Sequence, residues 1–246
     1  MRSGVAASVL SVVVLSRNEV DSIAAVLQEV LQKVRPPFEV LVVDDSTDDT
    51  THVVLQLASR HPEVHLIRQR GKGYTAAFRT AVQNARGEAL VILVGDGSDD
   101  PGDIERMRSL MRSGVDIVCA SRYSAGGARI GGSAFHAACS RVVCALVRAC
   151  TGVGTWDVTN SYKMYRTSVL RDMALEYAGF ATSMQVTLKA HAAARPIAET
   201  PTTWRERSGG SSKFIPGREV LHYAAWWLWG TARRIGDLLR LDRRPR

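Results

Sequence analysis

Four cysteines in 246 residues, Cys119, Cys139, Cys144 and Cys150, form no C-x-x-C pair and have no accompanying histidine spacing. Neither a zinc module nor a disulfide framework is indicated, and a reduced, cytosolic setting is the default expectation. No G-x-G-x-x-G follows the first apolar run and no G-x-x-x-x-G-K-[ST] occurs anywhere, so neither a dinucleotide site nor a P-loop is supported. Internal repeats and low-complexity tracts are missing. The C-terminal apolar stretch, Val220 to Ala232, holds 13 residues, about 20 Å as a helix, and a bilayer core of ~30 Å is too thick for it to span. Met1-Arg2 ahead of Val5 to Leu15 imitates a short signal peptide. That run leads into Ser16-Arg17-Asn18-Glu19 and a helical pattern with no polar cleavage region between them, so a first buried strand is expected.

What is present is an alternation. Val9 to Leu15 is continuous and β-branched, Ile23, Val26, Leu27, Val30 and Leu31 recur at helical spacing, and Phe38 to Val43 is apolar again before Asp44-Asp45. The same alternation continues through a helix at Thr50 to Ser59, a short strand at Val64 to Ile67, a helix at Tyr74 to Ala85, and strands at Leu90 to Val94 and Val115 to Ala120. The helix between those last two opens at Pro101, which suits a first helical turn. Strands and helices at this period imply a mostly parallel sheet covered on both faces, with ligands bound beyond the strands' C-terminal ends. Three of those ends carry acids: Glu19, the Asp44-Asp45 pair, and Asp96 within Val94-Gly95-Asp96-Gly97-Ser98-Asp99-Asp100-Pro101. Clustered Asp at a strand's end suits a hard cation such as Mg²⁺ or Mn²⁺. The other reading of such a turn is an Asp that caps the next helix.

Lysine and arginine outnumber aspartate and glutamate by 32 to 24, a net charge of +8 that favours anionic partners. No nucleic-acid module and no basic helix with base-reading side chains occurs, so nucleic acid is not expected. After Arg122 the pattern loosens. Tyr123 to Ser133 is rich in glycine with Arg122 and Arg129, either a lid over the rim or a long loop. Ala134 to Cys150 reads as a long apolar helix stopped by Gly152-Val153-Gly154. Thr159 to Tyr165 alternates, Val186 to Ala194 is helical, and Ile197 to Trp204 reads as a final strand. Arg205 to Pro216 is a second Gly/Ser-rich basic loop. The closing segment sets Tyr223, Trp226, Trp227 and Trp229 beside a run of arginines. Two placements fit it: a helix lying in an anionic membrane interface, or a terminal helix packing its tryptophans on the domain. The expected organisation is a main domain over 1–216 and a C-terminal helix over 217–246.

In this order the motifs resemble the inverting GT-A glycosyltransferases (family 2), and within them the dolichol-phosphate mannosyltransferase-like and related polyprenyl-phosphate enzymes. The similarity runs from about Val9 to Lys213. Leu15-Ser16-Arg17-Asn18-Glu19 resembles the family's opening P-x-x-N-E type motif, with Leu15 in place of proline. Val42-Val43-Asp44-Asp45-Ser46-Thr47-Asp48-Asp49-Thr50 resembles V-V-D-D-x-S-x-D-x-T, one residue shorter, and Gly71-Lys72-Gly73 and Ala85-Arg86-Gly87 match family tripeptides. Against D-A-D-L-Q-x-P-P, Val94 takes the place of the first Asp, Asp96 matches the second, and Asp99 is a candidate substitute. Ala120-Ser121-Arg122-Tyr123 resembles G-S-R-[FY], Asp157 to Lys163 resembles D-x-T-S-G-F-R, and Arg207 to Lys213 resembles R-x-x-G-x-S-K.

The resemblance implies a Rossmann-like three-layer α/β/α fold of GT-A type with a C-terminal amphipathic helix, and transfer of a sugar from a nucleoside diphosphate. It implies donor contacts from Leu15, Arg17, Glu19, Val43, Asp44, Asp45, Lys72, Gly95 and Asp96. Asp96, Ser98 and Asp99 would hold Mg²⁺ or Mn²⁺; Asp96, Arg122, Arg207 and Lys213 would serve catalysis; and Arg122, Arg129 and Lys163 would seat an acceptor phosphate. A hydroxyl acceptor needs a general base, whereas a phosphate is already an anionic nucleophile. Gln185, which cannot act as a base, stands where several relatives have Glu, and this weakens a hydroxyl acceptor; the resemblance implies polyprenyl phosphate as acceptor and a peripheral position at the inner membrane face. Two alternatives stay open: a soluble small-molecule acceptor, and, because the first Asp is missing, a non-catalytic nucleotide-sugar binder.

Overall fold

The computed structural model describes residues 9–207 and 216–242. The β-branched runs become strands β1 (Leu10–Ser16), β2 (Phe38–Asp44), β3 (Val64–Arg68) and β4 (Ala89–Val94), and the intervening amphipathic runs become helices α1 (Ile23–Lys33), α2 (Thr50–Ala58) and α3 (Tyr74–Asn84). Beyond them lie α4 (Ile104–Arg112), β5 (Ile117–Ser121), β6 (Ala128–Ile130), α5 (Ala134–Thr151), β7 (Lys163–Arg166), α6 (Thr167–Arg171), α7 (Thr182–Ala192), β8 (Ile197–Pro201), β9 (Thr203–Arg205) and α8 (Pro216–Asp242).

Seven strands form one sheet in the order β3-β2-β1-β4-β7-β5-β8. All neighbours run parallel except β7, which is antiparallel to both β4 and β5. Alternate residues of each central strand enter opposite cores, as a strand period of two requires. Val12 and Val14 of β1 face the layer that includes Ile23, Leu27, Val54, Ile104 and Met107, while Val13 and Leu15 face Phe78, Ala81, Val186 and Leu170. The three-layer arrangement expected from the alternation is the one found.

Several local outcomes differ from the periodicity. Pro101 opens a 3-10 turn, Pro101–Asp103, whose cap is Asp100, with Oδ1 accepting from the Gly102 amide at 2.8 Å; α4 starts only at Ile104. The run Ile197 to Trp204 is two strands rather than one. It breaks at Thr202, after which β9 leaves the main sheet and pairs in parallel with β6. The Gly-rich segment after Arg122 therefore contains a strand of a small ribbon and is not loop throughout.

A third cluster lies beyond the sheet, where Tyr223, Trp226, Trp227 and Trp229 of α8 pack against Cys144, Val147, Val153, Met184 and Leu188. Of the two placements open for the tryptophans, the structure takes packing on the domain. Helix α8 spans 27 residues, well beyond the 13-residue apolar stretch, and the indoles that pack beside α5 and α7 all lie within that stretch.

Candidate active site

The register brings the strand ends level. Ser16 pairs with Asp44, and Leu15 pairs with both Val43 and Val94. The acids that follow these positions in sequence therefore meet on one rim. Asn18, in the left-handed region at φ 54°, ties the first loop to the second: its amide donates to Ser46 Oγ at 2.8 Å and its side-chain oxygen accepts from the Thr47 amide at 2.8 Å. The Glu19 amide donates to Thr50 Oγ1 at 2.9 Å, which fixes Glu19 as a buried carboxylate facing the rim. Ser22 Oγ donates to the Gly95 carbonyl at 2.7 Å, tying α1 to the end of β4.

Asp44 is fully engaged. Oδ1 accepts from Ser46 Oγ at 2.5 Å, and Oδ2 accepts from Thr51 Oγ1 at 2.6 Å and from Arg68 Nη1 at 2.7 Å. Arg68 is 58% exposed at the end of β3. Sequence reasoning missed it, although a basic residue ending a strand on the acidic rim was the available signal. Asp45 is half-buried beside it, and Arg17 and Lys72 are exposed. Leu15, Val43 and Gly95 line the strand ends as buried residues.

The turn after β4 is built around Asp96. Its Oδ1 accepts from the Ser98 amide at 3.0 Å, with Gly97 between them at φ 74°, the left-handed conformation that glycine adopts without steric cost. Its Oδ2 takes the Arg207 guanidinium at 2.5 Å, and the same guanidinium lies 3.5 Å from Glu19 Oε1. Arg207 thus bridges the two acids that the sequence assigns to the cation and the donor. Asp99, buried in the same turn, has Oδ2 without a hydrogen-bond partner. Burial, with the Asp96 charge adding to it, pushes its carboxyl up to about 8. A buried carboxyl in this state beside a second one is a donor set that a divalent cation would suit. Among the described residues no group of three or more His, Cys, Asp or Glu side chains converges as a metal site. A cation here would rest on Asp96 and Asp99 and take further ligands from substrate and water. Val94 supplies no side-chain oxygen.

The rim's other wall holds the candidate acceptor cations. Arg122 is clamped by buried Asp157, with Nε on Oδ2 at 2.7 Å, Nη2 on Oδ1 at 2.8 Å and its own amide on Oδ2 at 2.9 Å. Nη1 is the guanidinium nitrogen that Asp157 does not take. Asp157 lies in a motif read for resemblance alone; its task of orienting Arg122 emerges only in three dimensions. Arg129 stacks on Trp204 across the β6-β9 ribbon, 4.3 Å from the ring centre. The Arg205 amide donates to the Ser98 carbonyl at 2.9 Å, which fastens that ribbon to the Asp96 turn.

Lys163 corrects an expectation. It is 0% exposed, and its ammonium donates to the Val158 carbonyl at 2.8 Å, Thr187 Oγ1 at 3.0 Å and the Ser183 carbonyl at 3.3 Å. Burial holds its pKa below the usual lysine value. It joins β7 to α7 and cannot meet an acceptor, because the strand register turns its side chain into the core. Gln185 is also fully buried, its amide on Glu176. Lys213 lies outside the described residues.

The sequence profile described as Glycosyl transferase family 2 matches residues 11–173. The chain is 29% identical over 235 residues to undecaprenyl-phosphate mannosyltransferase of Micrococcus luteus, covering 89% of this chain and 96% of that one. It is 29% identical over 204 residues to polyprenol monophosphomannose synthase of Mycolicibacterium smegmatis, covering 78% and 77%. In three dimensions it resembles glucosyl-3-phosphoglycerate synthase of Mycobacterium tuberculosis, solved with Mn²⁺, UDP-glucose and phosphoglyceric acid. The TM-score is 0.65 at 17% identity, covering 94% of this chain and 80% of that one. This last likeness concerns the fold.

Proposed function

The chain belongs to glycosyl transferase family 2, and from that premise we propose that it moves a sugar from a nucleoside-diphosphate sugar to a polyprenyl phosphate, with inversion, using Mg²⁺ or Mn²⁺. The observation that carries this reading is the convergence of Glu19, Asp44, Asp45 and Asp96 on one rim, with Arg122 directly after β5 in the same sheet and Arg129 on the ribbon fastened to the Asp96 turn. The names of the Micrococcus and Mycolicibacterium relatives support the acceptor class.

On this reading the base and ribose lie along the ends of β1 and β2. Glu19 and Asp45 accept hydrogen bonds from them, Asp44 and its partner Arg68 form the floor, and Leu15, Arg17, Val43 and Gly95 shape the walls. Lys72 adds positive charge near the phosphates. Held by Asp96 and Asp99, with Ser98 shaping the turn, the divalent ion would offset the charge that collects on the departing diphosphate. Arg207 must leave Asp96 when the donor enters, and its guanidinium then serves the diphosphate, joined by the charge of Lys213 six positions further along the sequence.

Arg122 and Arg129 seat the acceptor phosphate on the opposite side of the sugar. An acceptor oxygen bonds to the anomeric carbon as the bond to the diphosphate oxygen breaks, which inverts the configuration. A phosphate monoester is charged at neutral pH, so no general base is required, in keeping with a carboxamide at position 185. The test is a thermal-shift panel of UDP, GDP, TDP and CMP sugars with and without Mn²⁺, followed by turnover with a short-chain polyprenyl phosphate. A stabilising donor, metal-dependent transfer and an inverted product are expected. Absence of both transfer and donor hydrolysis across the panel would overturn the proposal.

A further inference from the structure

Carboxylates removed from water side by side repel one another and lose hydration, so they persist as anions only with a cation close by. Glu19 and Asp96 are such a pair, and they lie in different loops, after β1 and β4. The cation comes from a third place in the chain, Arg207, two residues past the end of β9. Its Nη2 is 2.5 Å from Asp96 Oδ2 and its Nη1 is 3.5 Å from Glu19 Oε1. One planar fork thus addresses both acids, which a compact ammonium is poorly shaped to do. The Arg207 side chain is 20% exposed against 6% and 8% for the two acids, so it reaches them from the solvent side of the pocket.

The chain leading to Arg207 is fastened to the same turn. The Arg205 amide donates to the Ser98 carbonyl and the Glu206 amide to the Ile130 carbonyl, each at 2.9 Å, and Glu206 Oε2 accepts from the Gly132 amide at 2.7 Å. The β6-β9 ribbon is therefore anchored up to Glu206, and the guanidinium can leave the acids by rotation of one side chain without the ribbon coming apart. Within Asp96 the two oxygens have separate tasks. Oδ1 accepts from the Ser98 amide and shapes the turn, while Oδ2 is the oxygen that Arg207 takes. A divalent ion resting on Asp96 needs the oxygen that the guanidinium holds, and two positive charges on one carboxylate repel each other at this range.

We propose that Arg207 is a built-in competitor of the divalent ion: its guanidinium holds Asp96 Oδ2 against the metal until a nucleoside diphosphate draws it away, so that metal and donor enter together. This rests on the reading of the Asp96 turn as the metal and donor site, and adds to it an order of binding. A hydrated Mn²⁺ arriving alone must displace Arg207 and offers the guanidinium nothing in exchange. A diphosphate offers it an anionic acceptor of matching bidentate geometry, and brings oxygen ligands for the ion. Release of Arg207 therefore couples the two ligands, and the coupling acts equally on each. A plain structural ion pair would behave otherwise, since Arg207 would stay on Asp96 and metal affinity would not depend on the residue at position 207. Glu19 has a part in the device as well. By taking the second arm of the fork it positions Arg207 on Asp96, which ties the donor loop after β1 to the control of the cation.

The test is titration of the full chain with Mn²⁺, read from the electron paramagnetic resonance of the free ion, first without nucleotide and then with UDP or GDP. Without nucleotide, Arg207→Ala should bind Mn²⁺ roughly tenfold or more tightly than the wild type, and Mn²⁺ should raise its melting midpoint more. Arg207→Lys keeps the charge but loses the fork, and should fall between the two. Nucleotide should strengthen Mn²⁺ binding more in the wild type than in Arg207→Ala, where the competitor is already gone. Equal Mn²⁺ affinity in the wild type and Arg207→Ala would overturn the proposal. So would an Arg207→Lys variant that matches the wild type, because charge at a distance would then account for the effect. No Mn²⁺ binding by any of the three, with or without nucleotide, would overturn it together with the metal part of the proposed function. The expected order of affinities without sugar transfer would count against the enzymatic reading and leave this one standing.

Discussion

The two halves of the sheet place charge at the same rim by different means. In the first half, β1, β2 and β4 run parallel and in register, so acids positioned just after each strand converge through backbone geometry alone. In the second half, antiparallel β7 sits between β4 and β5, and the charged groups are held by buried partners: Arg122 by Asp157, and Lys163 by two carbonyls and a hydroxyl. Rim acids of the first half are met by cations on the rim itself, Asp44 by Arg68 and Asp96 by Arg207, while charges of the second half also hold the fold.

The largest effect is expected on the second half. Asp157→Ala leaves the Arg122 guanidinium without its buried partner, and should cost about 3–5 kcal/mol of stability in urea unfolding. A variant that stays stable but loses acceptor affinity would break the comparison. Asp96→Ala should do the converse. Turnover should fall by about 10²–10³, or about 2.7–4 kcal/mol of transition-state stabilisation, while the melting midpoint holds, read from single-turnover kinetics beside calorimetry. A matching fall in stability would erase the distinction between the halves.

Asp99 sharpens the comparison through pH. Its carboxyl is raised from the ordinary 3.8 to about 8 by burial and then by Asp96, so between those values the folded state holds a proton that the unfolded state has released. Stability from this group is therefore full below pH ~4 and falls as pH rises through about 8. Asp99→Asn, followed in EDTA by urea titration across that window, should flatten the slope; an unchanged slope would assign it to other groups. The smallest effect is expected at Arg68, which is mostly exposed. Arg68→Ala should change stability by less than about 1 kcal/mol and raise the donor KM with kcat little altered. A large fall in kcat would move Arg68 from the floor of the donor site into the chemistry.

Much of the first half was legible because its signals are local. A run such as Val12-Val13-Val14 followed by a helical period identifies a β-α-β unit, and the acids after the strands follow from it. Lys163 shows where such reading stops. Its neighbours Tyr162 and Met164 mark a strand, but whether the ammonium faces the rim or α7 depends on a register set by β4 and β5. Asp157 was visible as a residue and not as a partner, since 35 positions separate it from Arg122. Asp99 was a candidate ligand through the family resemblance, and its unpartnered oxygen and raised pKa became visible only through its enclosure. The tryptophans of α8 were equally suited to lipid or protein until α5 and α7 were seen to cover them.

By itself, then, the sequence determined the alternation of strands and helices, the acidic rim and the family, because hydrophobic periodicity and ordered motifs are properties of neighbouring residues. Tertiary structure decided that Arg207 bridges Glu19 and Asp96, that Asp157 orients Arg122, that Lys163 belongs to the core, and that α5 and α8 bare their aliphatic faces. Those outcomes depend on which distant groups share a buried or exposed environment, and burial is a property of the packed chain rather than of any stretch within it.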